Sequence, residues 1–149
     1  MTLALSLVLV LLVAHFVGDF ICQSDWMATN KSKRWDALFL HVSVYSLVLA
    51  LFVAVASGST GPNLTFWAAN FAAHFVQDAI TSRINARLWF IDGVRSVPLR
   101  QDAVAGVTLT PTLYEVAYND KRHWFFVAIG FDQLLHYVTL CVTAAWWLQ

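Results

Sequence analysis

Apolar residues dominate four long stretches of the chain, and polar or charged residues fill the segments between them. The stretches cover residues 3–24, 36–56, 64–82 and 124–147. Each has about 20 residues, the length that an α-helix needs to cross the ~30 Å hydrocarbon core of a bilayer. Helices are expected because lipid offers no partner for unpaired backbone groups. The pattern predicts an all-α, polytopic membrane protein with four transmembrane helices in one domain, residues 1–149.

Two pairs of similar segments indicate an internal symmetry of the helices. The sequence AHFVGD of residues 14–19 returns as AHFVQD in residues 73–78, and LHVSVYSL of residues 40–47 resembles LHYVTLCV of residues 135–142. We therefore predict two pseudo-repeated, parallel helical hairpins related by an axis along the membrane normal. The second of their connections, residues 83–123, is long and is expected to lie partly in the membrane interface.

The distribution of charge predicts the orientation of the helices. Only 12% of the residues are charged and the formal net charge is zero, so a lipid bilayer is the expected partner and nothing favours nucleic acid. By the positive-inside rule, the basic connections are cytoplasmic and both chain termini lie outside. A homo-oligomer is left open. The nine basic residues are Lys31, Lys33 and Arg34 in the first connection and Arg83, Arg87, Arg95, Arg100, Lys121 and Arg122 in the second.

Seven ionisable side chains lie within the apolar stretches at matching depths. At a rise of 1.5 Å per residue from the cytoplasmic end of each helix, all seven lie roughly 7–20 Å below the cytoplasmic surface of the membrane. Each helix contributes at least one of them, so the sequence predicts a single polar layer. The seven residues are His15, Asp19, His41, His74, Asp78, Asp132 and His136.

The spacing within this layer is typical of a metal site. Six of the seven form pairs four residues apart, and such residues share one face of a helix, as in sites where one helix supplies two metal ligands. Imidazole and carboxylate groups suit zinc first, with manganese or iron as alternatives. All seven are predicted metal ligands. The amides expected to support them are Gln23, Asn70, Gln77 and Gln133.

The three aspartates need compensation for their buried charge, since each costs roughly 2.5–3.5 kcal/mol on insertion scales. The four stretches contain no Lys or Arg to pair with them. Two divalent ions and a bridging hydroxide would nearly neutralise three carboxylates, which favours a dinuclear centre. The alternative is that His–Asp pairs only join helices by hydrogen bonds. Agreement in depth across all four helices favours the metal or catalytic interpretation.

Four motifs carry a resemblance to a known family: HFVGDFICQSDWM, LFLHV, HFVQD and DQLLH. They resemble those of small bacterial and phage membrane proteins known as domain of unknown function 3307. The resemblance covers all four helices and is weakest in residues 88–120. It implies a bacterial or phage origin and a bacterial inner-membrane location, but no particular activity. A looser likeness is to inner-membrane metal-dependent hydrolases, which also carry His and Asp in membrane helices.

These features together favour a metal-dependent membrane hydrolase whose site opens to the cytoplasmic leaflet. A bound ion would lower the pKa of a water molecule and stabilise developing negative charge. Asp19, Asp78 and Asp132 are the candidates for a catalytic role among the ligands, for example as general base. A lipid or phosphate-containing substrate is expected, because basic residues at the rim could hold an anionic headgroup. These rim residues are Arg34, Arg83 and Arg87.

Two other functions are open. A transporter or channel for metal ions or protons would also place ionisable residues in membrane helices, but it needs a path to the far side. The outer halves of the helices, such as residues 2–12 and 46–56, carry only scattered hydroxyls. A non-catalytic bacterial or phage accessory protein would use the cluster only to stabilise the helix bundle.

Overall fold

The computed structural model describes residues 3–57, 64–89, 93–98, 113–118 and 122–147. Within these ranges lie five α-helices and two short β-strands, and helices make up most of the described chain. The predicted helical class is therefore confirmed. The helices are α1 (Leu3–Phe16), α2 (Asp25–Asn30), α3 (Trp35–Ser57), α4 (Leu64–Trp89) and α5 (Arg122–Trp147).

The four long helices follow the four apolar stretches, and the connections between them contain further regular structure. Helix α2 lies in the first connection, and α4 continues through residues 83–89 of the second. Strands β1 (Gly93–Pro98) and β2 (Leu113–Tyr118) pair antiparallel in that second connection. Its other residues between 90 and 121 lie outside the described chain, as does the short connection of residues 58–63.

Two of the described helices are long and apolar enough to cross a membrane: α3 and the part of α5 from His123 to Trp146. The apolar run in α1 is shorter and extends from Leu5 to Ile21. Helix α4 is longer than α3, but its inward face is polar over several turns, which lowers its mean hydropathy. Length and composition thus support two candidate membrane spans among the described residues.

A π-helical turn, Val17–Ile21, continues α1 and carries Asp19. The amide of Cys22 bonds to the carbonyl of Val17 at 2.8 Å, five residues back. Such turns change the direction of the side chains around them and are frequent at functional sites. Gly18 lets this turn approach α3 closely, because a Cβ there would lie 3.1 Å from Cδ2 of Tyr45.

Buried residues recur every four positions along the long helices, so each helix presents one continuous face to the interior. Helices α1 and α3, α3 and α4, α4 and α5, and α5 and α1 are in contact, which closes the four into a ring. The inward positions are Leu11, His15 and Asp19 on α1; His41, Tyr45, Leu49 and Val53 on α3; Phe66, Asn70, His74, Asp78 and Ser82 on α4; and Asp132, His136, Leu140 and Ala144 on α5.

The interior of the ring is apolar at one end and polar at the other. The apolar end is a single packed cluster to which all four long helices contribute. Its packing fixes how far each helix is shifted along its axis, so the polar residues one or two turns further on meet at one level. The cluster consists of Leu11, Ala14, Tyr45, Leu49, Val53, Phe66, Leu140 and Ala144.

Candidate metal centre

The seven residues predicted as ligands come together at the polar end of the ring. All are buried, with exposed fractions from 0% for His15 and His41 to 8% for Asp132. Charged groups are rarely buried to this extent unless they are paired or bind a metal. Each lies on the inward face of its helix, at a multiple of four residues from a member of the apolar cluster on the same face. We refer to these seven residues as the polar cluster.

Four members of the polar cluster, Asp19, His41, His74 and Asp78, each bring one possible ligand atom within 4.8 Å of the others. Nε2 of His41 lies 3.1 Å from Oδ1 of Asp19 and 3.1 Å from Oδ2 of Asp78. Nε2 of His74 lies 3.6 and 3.7 Å from the same two oxygens, and 3.3 Å from Nε2 of His41. A tetrahedral zinc ion with bonds of ~2.0–2.2 Å separates its ligands by about 3.3–3.6 Å. The four residues could therefore hold one such ion.

Hydrogen bonding among these four residues does not satisfy the group. Nε2 of His41 faces two carboxylate oxygens and a second imidazole nitrogen within 3.3 Å, yet it can carry only one proton. Oδ1 of Asp19 is buried and makes no hydrogen bond. An unsatisfied buried acceptor costs about 1–3 kcal/mol. A cation among these lone pairs would remove that cost.

Asp78, Asp132 and His136 form a second group with possible ligand atoms within 4.8 Å of one another. Nδ1 of His136 lies 2.8 Å from the backbone carbonyl of Asp132 and must donate to it, since a carbonyl only accepts. Nε2 of the neutral ring is then an acceptor, buried without a hydrogen bond and 3.6 Å from Oδ1 of Asp78. Asp78 thus faces the first group with Oδ2 and the second with Oδ1, as a carboxylate that bridges two ions does.

His15 differs from the other histidines because both its ring nitrogens have side-chain partners. Nε2 lies 2.9 Å from Oε1 of Gln133, and Nδ1 lies 3.3 Å from the hydroxyl of Tyr45. The amide nitrogen of Gln133 donates to Oδ2 of Asp19 and to Oδ2 of Asp132, each at 3.2 Å. The carboxylates can only accept, so the NH₂ group of Gln133 points to them and its Oε1 points to His15. Nε2 of His15 therefore carries the proton and donates the hydrogen bond to Oε1. His15 and Gln133 therefore hold two carboxylates in position.

Lys31 supplies a positive charge that the apolar stretches lack. It lies just after α2, and its Nζ reaches to 2.8 Å from Oδ2 of Asp78 and 3.2 Å from Nε2 of His41. A lysine stem can run along apolar surface and carry its charge far from its own backbone. The apolar stretches hold no basic residue, so the positive partner of Asp78 comes from the connection between α1 and α3.

Tyr45 is a second residue that the sequence analysis missed. Its ring stacks on that of His74 with 3.8 Å between centroids. Nδ1 of His74 and Nδ1 of His41 are buried and make no hydrogen bond, so packing of this kind orients the rings. The signal was available, because Tyr45 follows His41 by four residues and shares its face of α3.

The predicted supporting amides have different surroundings. Gln133 contacts two aspartates, as described above. Asn70 and Gln77 bond to threonine hydroxyls of α5 at 3.1 and 2.7 Å, and so join α4 to α5. Gln23 has a buried side-chain oxygen without a hydrogen bond. Of the four amides, only Gln133 makes a described hydrogen bond to the polar cluster.

The three predicted substrate-binding arginines lie away from the polar cluster. Arg34 is exposed and forms an ion pair with Asp36 at 2.6 Å. The guanidinium of Arg83 lies 4.2 Å from the ring centroid of Trp35, and Arg87 is exposed. Within the described part of the chain, none of the three contacts a member of the polar cluster.

A cleft of about 490 Å³ opens beside the polar cluster. Its walls come from α2 and the residues that follow it, the end of α4 and the start of α5. Lys31 connects the cleft to the polar cluster, since it lines the cleft and contacts Asp78. The cleft therefore leads from the surface to the edge of the polar cluster.

Comparison with curated proteins and with solved structures gives no match. The looser likeness to metal-dependent hydrolases is not supported by these comparisons. The family described as "Protein of unknown function (DUF3307)" has a model that matches residues 7–149, almost the full chain. The chain therefore belongs to this family, as its motifs predicted.

Proposed function

We propose that the protein is an integral membrane hydrolase that binds divalent metal in the polar cluster and acts on a lipid or other phosphate-containing substrate. The observation that carries the proposal is the convergence of the ligand atoms of Asp19, His41, His74 and Asp78. Their separations of 3.1–3.7 Å suit one ion, and hydrogen bonds among the four residues leave the group unsatisfied. Zinc fits the donor set first, with manganese or iron as alternatives.

In this proposal all four long helices cross the membrane as two parallel hairpins, with the polar cluster nearer the cytoplasmic side. The outer surface of the ring supports this placement. Large apolar side chains are exposed on every long helix, for example Val13 (52%), Val55 (76%), Val76 (57%) and Val142 (62%). A soluble monomer rarely exposes so much contiguous apolar surface, whereas lipid would cover it. The basic residues set the orientation, with both termini outside.

Lys31 changes the charge balance expected for the centre. Three carboxylates and one ammonium leave two negative charges when the histidines are neutral, and a single divalent ion neutralises these. We infer that the first ion occupies the group of Asp19, His41, His74 and Asp78. A second ion at Asp78, Asp132 and His136 needs further negative charge, which a hydroxide and an anionic substrate would provide. The dinuclear state is thus coupled to substrate.

Metal in this position would supply an activated water and stabilise negative charge that develops on the substrate. The protein's own contribution is to hold the ligands still. Gln133 fixes the carboxylates of Asp19 and Asp132, and His15 fixes the amide of Gln133. Such supporting contacts typically change metal affinity or activity by about 10–100-fold.

The same geometry weighs against the metal-ion or proton transporter. Beyond His15 and Tyr45 the described interior consists mainly of the apolar cluster, which extends to Val53 on α3 and Ala144 on α5. The buried Asn70 at this level is occupied by hydrogen bonds to Thr143 and to the carbonyl of Phe66. A conduit needs polar groups or water along its whole length. A pocket that ends halfway across the bundle suits a reaction site better.

Elemental analysis of the purified full-length protein tests the proposal. We expect one divalent ion per chain, or two when a substrate analogue is present. His74→Ala should abolish stoichiometric binding, because it removes a ligand. His15→Gln should keep the stoichiometry with about 10–100-fold weaker affinity, because His15 acts through Gln133. His123→Ala is the control, since His123 is exposed at the start of α5.

Turnover is the second readout of this experiment. Hydrolysis of lipid phosphate esters should disappear in Asp78→Asn, because Asp78 belongs to both groups of possible ligands, and should persist in His123→Ala. A protein that holds no stoichiometric zinc, manganese or iron would point to a structural role for the polar cluster. Metal binding without hydrolysis of any ester would favour the non-catalytic accessory protein.

A further inference from the structure

We propose that the cleft beside the polar cluster binds an amphiphile, with its phosphate group against the polar part of the cleft lining and its apolar chain against the apolar part. The inference rests on the proposed function, since it gives that site a substrate class and a set of substrate-binding residues. These residues take the role that the sequence assigned to three arginines, which lie outside the cleft.

Part of the cleft lining is suited to an anion. Among the described residues, the lining includes Lys31, Lys33, Ser82 and Asn85 and no carboxylate residue. Ser82 is only 8% exposed, and its hydroxyl has no hydrogen-bond partner. The side-chain oxygen of Asn85 is also buried without a partner, and rotation of the amide would present its NH₂ group instead. A phosphate group would accept hydrogen bonds from all of these groups.

Another part of the lining is apolar. It consists of Ala86 and Trp89 of α4 with Phe125 and Ile129 of α5. The rings of Trp89 and Phe125 lie 4.6 Å apart between centroids. This wall offers aliphatic and aromatic contacts to an acyl chain. It offers little to the polar organic part of a small hydrophilic phosphate ester. The polar and apolar parts of the lining together match a molecule with a charged head and an apolar tail.

The cleft also lies in the right place for the proposed reaction. Ser82 follows Asp78 by four residues on α4, and one helical turn rises about 5.4 Å. Lys31, in the wall of the cleft, has its Nζ 2.8 Å from Oδ2 of Asp78. A phosphate bound to Ser82 would thus lie about one turn from the carboxylate that faces both ligand groups.

Calorimetric titration of the full-length protein in an uncharged detergent tests the inference with three ligands. Lysophosphatidic acid has both phosphate and chain, monoacylglycerol of the same chain length has no phosphate, and inorganic phosphate has no chain. We expect lysophosphatidic acid to bind at least about tenfold more tightly than either of the others.

Single substitutions then locate the binding site. Lys33→Ala and Ser82→Ala should each weaken lysophosphatidic acid binding about tenfold, which is typical of one lost charge-assisted hydrogen bond. Arg87→Ala is the matched control, because it removes an exposed positive charge from the same end of α4 without touching the cleft. Its affinity should stay within about twofold of the wild type.

The possible outcomes separate the two proposals. Equal binding of lysophosphatidic acid and monoacylglycerol, or equal effects of Lys33→Ala and Arg87→Ala, would overturn the inference even if the protein contains metal and hydrolyses esters. Equal binding of inorganic phosphate would overturn the part that concerns the chain. Tight binding that depends on Lys33 in a protein without metal would support the proposed ligand site in the cleft and overturn the proposed hydrolase function.

Discussion

Asp78 has more basic side chains within 4 Å than any other member of the polar cluster within the described chain. Lys31 and His41 lie at its Oδ2, 2.8 and 3.1 Å away, and His136 lies 3.6 Å from its Oδ1. The nearest of these neighbours is the ammonium group of Lys31, which belongs to the connection after α2 and carries a positive charge. The stability of the buried carboxylate without metal therefore depends mainly on Lys31.

Replacement of Lys31 by methionine isolates this dependence. Removal of one partner from a buried ion pair costs about 3–5 kcal/mol, and the 16% exposure of Lys31 favours the lower end of that range. In the presence of a chelator, Lys31→Met should therefore unfold at a clearly lower temperature than the wild type. Zinc should raise the unfolding temperature of Lys31→Met more than that of the wild type, because the ion takes over the neutralisation of Asp78.

Thermal unfolding with and without zinc measures both effects. Lys33→Met is the control, since Lys33 is exposed and lies only two residues further along the chain. If Lys31→Met and Lys33→Met unfold at the same temperature in chelator, then the contact between Lys31 and Asp78 does not stabilise the fold.

At the scale of the helices, the close approach of α1 to α3 determines where Asp19 lies. The π-helical turn Val17–Ile21 carries Asp19, and Gly18 in that turn packs against Tyr45. The repeated segment has Gln77 in place of this glycine, and there the side chain reaches α5 instead. The one difference between AHFVGD and AHFVQD thus corresponds to two different helix contacts.

Alanine at position 18 should push the two helices apart. Its Cβ would lie 3.1 Å from Cδ2 of Tyr45 and 3.3 Å from the backbone of Tyr45, which cannot move aside easily. Overpacking of this kind costs about 1–3 kcal/mol. We expect Gly18→Ala to lower both the unfolding temperature and the metal affinity, because Asp19 moves with the turn.

Gly130→Ala on α5 is the matched control, since nothing lies within 4 Å of a Cβ at that position. Alanine is favoured over glycine inside a helix by about 1 kcal/mol, so this variant should be as stable as the wild type or more so. The packing argument fails if Gly18→Ala is as stable as Gly130→Ala.

The sequence predicted the long helices and the members of the polar cluster because both follow from periodicity. Residues four apart share a helix face, so His15 and Asp19, or His74 and Asp78, had to point the same way. Lys31 could not be found in this manner, since its contact with Asp78 spans 47 residues and begins outside a helix. The π-helical turn and strands β1 and β2 were missed because they are short and depend on neighbouring structure.

On the scale of the whole molecule, the two ends of the ring differ in character. The polar cluster and the cleft lie at one end, and the apolar cluster fills the other. This asymmetry matches the distribution of basic residues along the sequence, which sit in the connections at the polar end. The proposed orientation therefore makes a prediction for each of the two cysteines.

An impermeant maleimide should distinguish Cys22 from Cys141, both of which are exposed on the surface of the bundle. Cys22 follows the π-helical turn at the polar end and should react only from the cytoplasmic side, in inverted membrane vesicles. Cys141 lies beside Leu140 of the apolar cluster and should face lipid, where a thiol does not ionise readily. It should react only after denaturation.

Labelling of Cys22→Ser and Cys141→Ser, followed by mass spectrometry, assigns each signal to one thiol. Reaction of Cys22 in intact spheroplasts would reverse the orientation. Rapid reaction of Cys141 in intact membranes would place that part of α5 in water.

Because every long helix contributes to the polar cluster, the cluster also constrains how the chain is made. Synthesis delivers α1 first and α5 last, so in the proposed four-span topology Asp19 enters the bilayer long before Asp132 and His136. Until then the early carboxylates have only some of their final neighbours, and the unfinished chain carries uncompensated charge. In that topology, the last helix to leave the ribosome decides when all the carboxylates of the nascent protein are compensated inside the membrane.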